Sequence, residues 1–144
     1  VRLRDLDPWF IRYKTVIKTW ERVIGDPLTW KAGDPTETVT GPREEMDRVE
    51  TLAEAQGIFF RCPKCVSRSD EPNAEGLRVA QGHYLQVTFA DRGVEPQQGC
   101  HGKNGEPTRW NVSGTGFDDL TTTPSILLYG GCEWHGYITS GDAA

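Results

Sequence analysis

Apolar and polar residues alternate most cleanly over residues 82–89, where His83, Leu85, Val87 and Phe89 share one face and Tyr84, Gln86 and Thr88 the other. A period of two is that of a strand with one buried face. Shorter apolar runs at 9–13, 58–61, 109–113, 125–129 and 136–139 read as further strands. Residues 14–24 are mixed. Val16, Ile17, Trp20, Val23 and Ile24 fit helical spacing, but the β-branched and aromatic side chains favour a strand, which is the preferred reading. The best helix is 44–56, with Met46, Val49, Leu52 and Ala53 at spacings of three and four and Gly57 to end it. The pattern predicts a mainly β fold with one short helix (α+β), built on a small antiparallel sheet.

The segments between these runs are turn-forming. Residues 25–42 contain Gly25-Asp26-Pro27, Gly33-Asp34-Pro35 and Gly41-Pro42, which marks a loop insertion or short hairpin whose lone Trp30 is expected to dock on the core. Residues 67–76 and 91–107 read as exposed loops, Gly114-Thr115-Gly116 as a tight turn, and 140–142 as a tail.

Two short motifs stand out within this pattern. Cys62-Pro63-Lys64-Cys65 and Cys132-Glu133-Trp134-His135 are pairs with two residues between the donors, so that one turn can aim both side chains at one ion. Together Cys62, Cys65, Cys132 and His135 form a Cys3His set, the tetrahedral nitrogen and sulfur shell of structural Zn2+. Residues 66–131 would then be an insertion whose ends the metal clamps, in a zinc-ribbon-like arrangement. The competing readings are disulfides, for which four cysteines allow three pairings, or buried free thiols.

Composition narrows the function classes. A chain of 144 residues with 36% hydrophobic content suits one domain, 1–144, with a modest core. Its mean hydropathy is −0.56. A net charge of −5 without a basic run argues against nucleic acid. No apolar stretch approaches the roughly 18 residues of a membrane span, and no signal-peptide core opens the chain, so the expectation is a soluble protein in a reducing cytoplasm.

The series Phe59-Phe60-Arg61-Cys62-Pro63-Lys64-Cys65, Gly82-His83, Trp110-Asn111-Val112-Ser113-Gly114-Thr115-Gly116, Asp118-Asp119-Leu120-Thr121, Pro124-Ser125-Ile126 and Gly131-Cys132-Glu133-Trp134-His135-Gly136 resembles a family of small proteins encoded by tailed phages and prophages. More distantly it is similar to a bacterial family with a Cys-rich knuckle and a Cys-x-x-His end, sometimes encoded beside ubiquitin-like conjugation genes. The likeness spans about residues 50–142. It implies zinc binding and a mainly β fold, and no particular reaction. The chain departs from the family pattern at the 25–42 insertion and at Cys100-His101.

Other residues carry two readings each. His83 is either a hydrogen-bonded strand histidine or a metal or catalytic residue, and Cys100-His101 either a free thiol beside a solvated imidazole or alternative ligands. Asp118 and Asp119 read first as turn or capping carboxylates. Asn111-Val112-Ser113 is formally a glycosylation sequon without meaning in a cytoplasmic protein, and Ser125 lacks a G-x-S-x-G elbow. A closed Cys3His site leaves no position for a reactive water, so the leading expectation is a non-enzymatic binding or structural module. Its partner would be a protein, a second copy or a phage virion component, met through Trp30 and residues 25–42, in the host cytoplasm or the particle. The alternative is a small zinc-dependent peptidase or amidase with His83, Asp118 or Glu133 as base. A redox dithiol at Cys62 and Cys65 is disfavoured by the strand-to-turn context.

Overall fold

The computed structural model describes residues 1–69, 83–128 and 132–144. The fold is mainly β. Strands β1 (Trp9–Val23), β2 (Thr36–Val49), β3 (Gly57–Arg61) and β4 (Tyr84–Thr88) form a sheet of order β2-β1-β3-β4. β3 runs antiparallel to both neighbours, with Phe10 opposite Ile58 and Phe60 opposite Leu85. Three two-stranded ladders follow: β5 (Asn111–Ser113) with β6 (Thr121–Thr123), β7 (Ile126–Leu127) with β8 (His135–Gly136), and β9 (Ile138–Thr139) with β10 (Asp142–Ala143). The one α-helix among the described residues is α1 (Pro63–Ser69), and a 3-10 turn spans Leu3–Leu6.

The expected strands at 9–13 and 14–24 are one continuous strand, β1. The helix expected at 44–56 is not formed: residues through Val49 belong to β2, and a turn follows. The apolar spacing there came from different causes. Met46 is 47% exposed, Val49 is half-buried against the core, and in the turn that follows Leu52 is buried and Ala53 exposed, the Ala55 amide donating to the Leu52 carbonyl at 3.1 Å. Pairing along β1 satisfies the backbone of β2, whereas a short helix with so narrow an apolar stripe is marginal by itself. Most of the loop expected at 67–76, and positions 82, 129 and 131 of the expected strand and motifs, lie outside the described residues.

The chain divides into two compact units, Lys14–Met46 and the combination of Val1–Tyr13 with Asp47–Ala144. The smaller unit buries no residue, Trp30 is 37% exposed and Leu28 93%. Polar pairs hold it across the ribbon: Thr15 donates to Glu44 at 2.8 Å, Thr19 and Thr40 meet at 2.9 Å, Arg22 donates to Glu37 at 2.6 Å, and Arg43 lies 3.8 Å over the Trp20 ring. Exposed pairs of this kind contribute a few tenths of a kcal/mol each.

The larger unit holds the core. Leu3, Leu6, Phe10, Ile58, Phe60, Val87, Phe89, Leu120 and Ile138 are at most 2% exposed, and Phe117 stacks on Phe10 at 4.3 Å. Full burial of such side chains contributes about 1.5–3 kcal/mol each. The segment expected as a tail is structural: Gly141 accepts from the Leu3 amide at 2.8 Å and β10 closes on β9. Gly141 has φ +76°, and a Cβ there would meet the Asp118 carbonyl at 2.4 Å, so the turn requires glycine.

Candidate metal centre

Four side chains converge at the end of the β3–β4 ladder. Cys62 follows β3 directly, Cys65 lies in the first turn of α1, His83 precedes β4, and Cys132 lies in the connection from β7 to β8. One donor atom from each lies within 4.8 Å of all the others, so the group could hold a metal ion. The Cys62 and Cys132 sulfurs are 3.3 Å apart, and His83 Nε2 is 3.1 Å from Cys132 Sγ. A tetrahedral shell with bonds of about 2.0–2.3 Å sets its ligand atoms roughly 3.3–3.8 Å apart, so these two separations would open slightly around an ion, while the 4.8 Å span of the group leaves room for other pairs to close.

Each ligand is placed by a local cause. Phe60 and Ile58 face the core from β3, and Cys62, two residues on, keeps that inward register and is fully buried. Pro63 begins α1 because its missing amide is not needed there, and the first helical bond runs from the Val66 amide to the Cys62 carbonyl at 2.9 Å. The knuckle turn expected after Cys62 is therefore the start of a helix. His83 is brought in by the ladder, through the Cys62 amide donating to the His83 carbonyl at 2.9 Å. Cys132 is held by Lys64, whose ammonium donates to the Cys132 carbonyl at 2.7 Å, and by Glu133, whose left-handed backbone (φ 53°) turns the chain toward Trp134. The Leu128 amide donates to the Trp134 carbonyl at 2.9 Å, and the buried Trp134 ring meets Phe60 edge-on at 6.2 Å.

The thiols share their charge unequally. Burial pushes Cys62 up to about 12, with the contact to Cys132 adding to the rise. Burial also raises Cys132, but hydrogen bonds from His83 and Cys62 outweigh it and bring this thiol down to about 6. Cys132 is thus the readiest thiolate and Cys62 its donor.

Of the four ligands expected from the motifs, the structure brings together Cys62, Cys65 and Cys132. His135 lies elsewhere, exposed, with Nε2 3.0 Å from Ser125 Oγ, and His83 completes the group in its place. The reason is the path of the chain. β8 begins at His135 and pairs it with Leu127, which carries the imidazole away from Cys132. His83, expected as one candidate base, has its Nε2 against Cys132 Sγ. Asp118 pairs with Arg4 at 3.3 Å, and the Asp119 carboxylate accepts from the Thr115 and Gly116 amides at 2.8 and 2.9 Å, so both serve the turn and surface. Glu133 is exposed. Cys100 donates to the Gln86 carbonyl at 3.1 Å, its thiol pushed up by burial, and His101 Nε2 lies 2.8 Å from the Pro96 carbonyl; neither belongs to the group.

The strand-to-turn argument against a redox dithiol gives way, since Cys62 and Cys65 do flank a helix start. A different observation weighs against that chemistry: Cys62 contacts Cys132 and is raised, whereas a redox nucleophile needs a lowered thiol.

No family model matches the chain, nor does any curated protein or solved structure.

Proposed function

We propose that the chain is a zinc-stabilised binding or structural module in which the metal has no catalytic role. The observation that carries this reading is the convergence of three cysteines and one histidine on one point. Three sulfurs and an imidazole suit zinc, complete its four-coordinate shell and leave no position for a reactive water. A thiolate-rich shell also weakens the metal as a Lewis acid, which disfavours the peptidase or amidase alternative. The ion ties together the end of β3, the start of α1, the start of β4 and the β7–β8 connection, and such binding free energy is folding free energy.

The partner we propose is a protein or a second copy of the chain. The smaller unit supports this with Leu28 at 93% and Trp30 at 37% exposure, since exposed aromatic and aliphatic side chains are the usual anchors of protein interfaces. No described helix is long and apolar enough to cross a membrane. Encoding by a phage and a place in the host cytoplasm or the particle rest on the motif resemblance alone. The test is elemental analysis of the purified protein together with its mass in solution. One zinc per chain with Cys62, Cys65, His83 and Cys132 all required supports the reading; absence of bound metal, or a metal retained after loss of two of these side chains, refutes it.

A further inference from the structure

We propose that Ser125 and His135 form a nucleophile and general-base pair that hydrolyses carboxylic esters with an apolar acyl group. The site lies outside the Cys62, Cys65, His83 and Cys132 group and uses no metal atom, so the inference goes beyond the structural reading of the zinc.

The geometry starts with the β7–β8 ladder. Leu127 is opposite His135, which puts Ser125, two residues before Leu127, on the same face and within reach of the imidazole. Ser125 Oγ is 3.0 Å from His135 Nε2, the separation at which a base can take a hydroxyl proton. Both residues are held from behind. The Trp110 indole donates to the Ser125 carbonyl at 3.2 Å, and Trp134, next to His135, is buried. His135 is itself exposed, so its ring can exchange protons with solvent between turnovers.

Ser125 also lines a cavity of about 560 Å3, within the size range of small-molecule sites. Leu85, Trp110, Ile126 and Leu127 contribute apolar surface, and Arg109 and Glu106 opposite charges. The Arg109 guanidinium donates to the carbonyls of Glu95, Gln98, Cys100 and Thr108, which braces the loop that forms this wall of the cavity. Apolar walls suit an acyl chain.

The reaction balances with water as co-reactant. Ser125 Oγ forms a bond to the ester carbonyl carbon as its proton passes to His135 Nε2. The carbon–alkoxide bond then breaks, and the alcohol leaves with that proton. Water attacks the acyl-serine, gives a proton to His135, and Ser125 recovers it as the acid departs. Among the described residues no carboxylate orients the second ring nitrogen of His135, so this is a dyad, better matched to an ester than to the poorer leaving group of an amide.

The test uses the full metal-loaded chain with a fluorophosphonate probe and p-nitrophenyl butyrate, followed by peptide mass spectrometry. One adduct per chain on Ser125 is expected, lost in Ser125→Ala. The hydrolysis rate is expected to fall by about 100-fold or more in His135→Gln, with melting temperature and metal content unchanged. The proposal is overturned if the wild-type chain forms no adduct, if the adduct sits on another residue, or if His135→Gln reacts at the wild-type rate. None of these results depends on whether the bound metal is zinc.

Discussion

The Cys62 amide donates to the His83 carbonyl at 2.9 Å, one step beyond the pairing of Arg61 with Tyr84. The β3–β4 ladder therefore does two things at once: it zips the central sheet and sets two side chains of the candidate metal group beside each other. A ligand pair presented by paired backbone is preorganised, because the ladder and not the ion bears the entropy of bringing the strands together.

This relationship separates the two histidines. His83→Ala is expected to abolish stoichiometric metal binding and lower the melting temperature sharply, while His135→Ala leaves metal content unchanged. Elemental analysis and thermal melts of the two variants decide the matter, and the reverse outcome would return His135 to the ligand set.

Removal of the metal should be severe. Structural zinc in small sites contributes apparent binding free energies of about 10–16 kcal/mol, comparable to the whole stability of a domain, about 5–15 kcal/mol. Chelation or Cys132→Ser is expected to unfold the larger unit or strip its cooperative melt. Cys100→Ser, which lies outside the group and alters contacts to Gln86, Thr88 and the core, should retain the metal and melt cooperatively. Equal losses in both variants would place Cys100 among the ligands.

Gly136 lies between the Trp134 ring and the Ala144 carbonyl, where an added Cβ would be 2.5 Å and 2.8 Å from their atoms. Gly136→Ala should cost about 1–3 kcal/mol through overpacking, roughly 3–10 °C in melting temperature for a chain of this size. Calorimetry and tryptophan fluorescence measure it, and an unchanged melt would show that the β7–β8 ladder shifts without penalty.

The Asp119 carboxylate accepts from the Thr115 amide at 2.8 Å, the Gly116 amide at 2.9 Å and the Thr115 hydroxyl at 2.8 Å, and these bonds hold its carboxyl below the usual range. A lowered folded-state value means the contribution is fully present above the ordinary carboxyl range and is lost as pH falls through the lowered one. Asp119→Asn should therefore be less stable than wild type at neutral pH, with the gap closing in acid. A gap that widens in acid would mean that the carboxylate is not what holds this turn.

What the linear pattern determined is the β character, through period-two runs such as Leu85, Val87 and Phe89, and the candidacy of Cys62, Cys65 and Cys132 for a metal group, through donor types and short spacing. These are local properties, written in neighbouring residues. The same pattern misread 44–56, because apolar side chains of a strand end and of the turn after it, of which only Leu52 is buried, fell by coincidence at helical spacing. His83 carried a legible sign, since it shares the inward face of β4 as Cys62 shares that of β3. Its choice over His135 was decided only by tertiary structure: the β3–β4 register sets His83 beside Cys62, and the β7–β8 register turns His135 toward Ser125. Strand register is a pairing between distant segments, fixed by which faces are buried together, and the spacing within a single motif does not contain it.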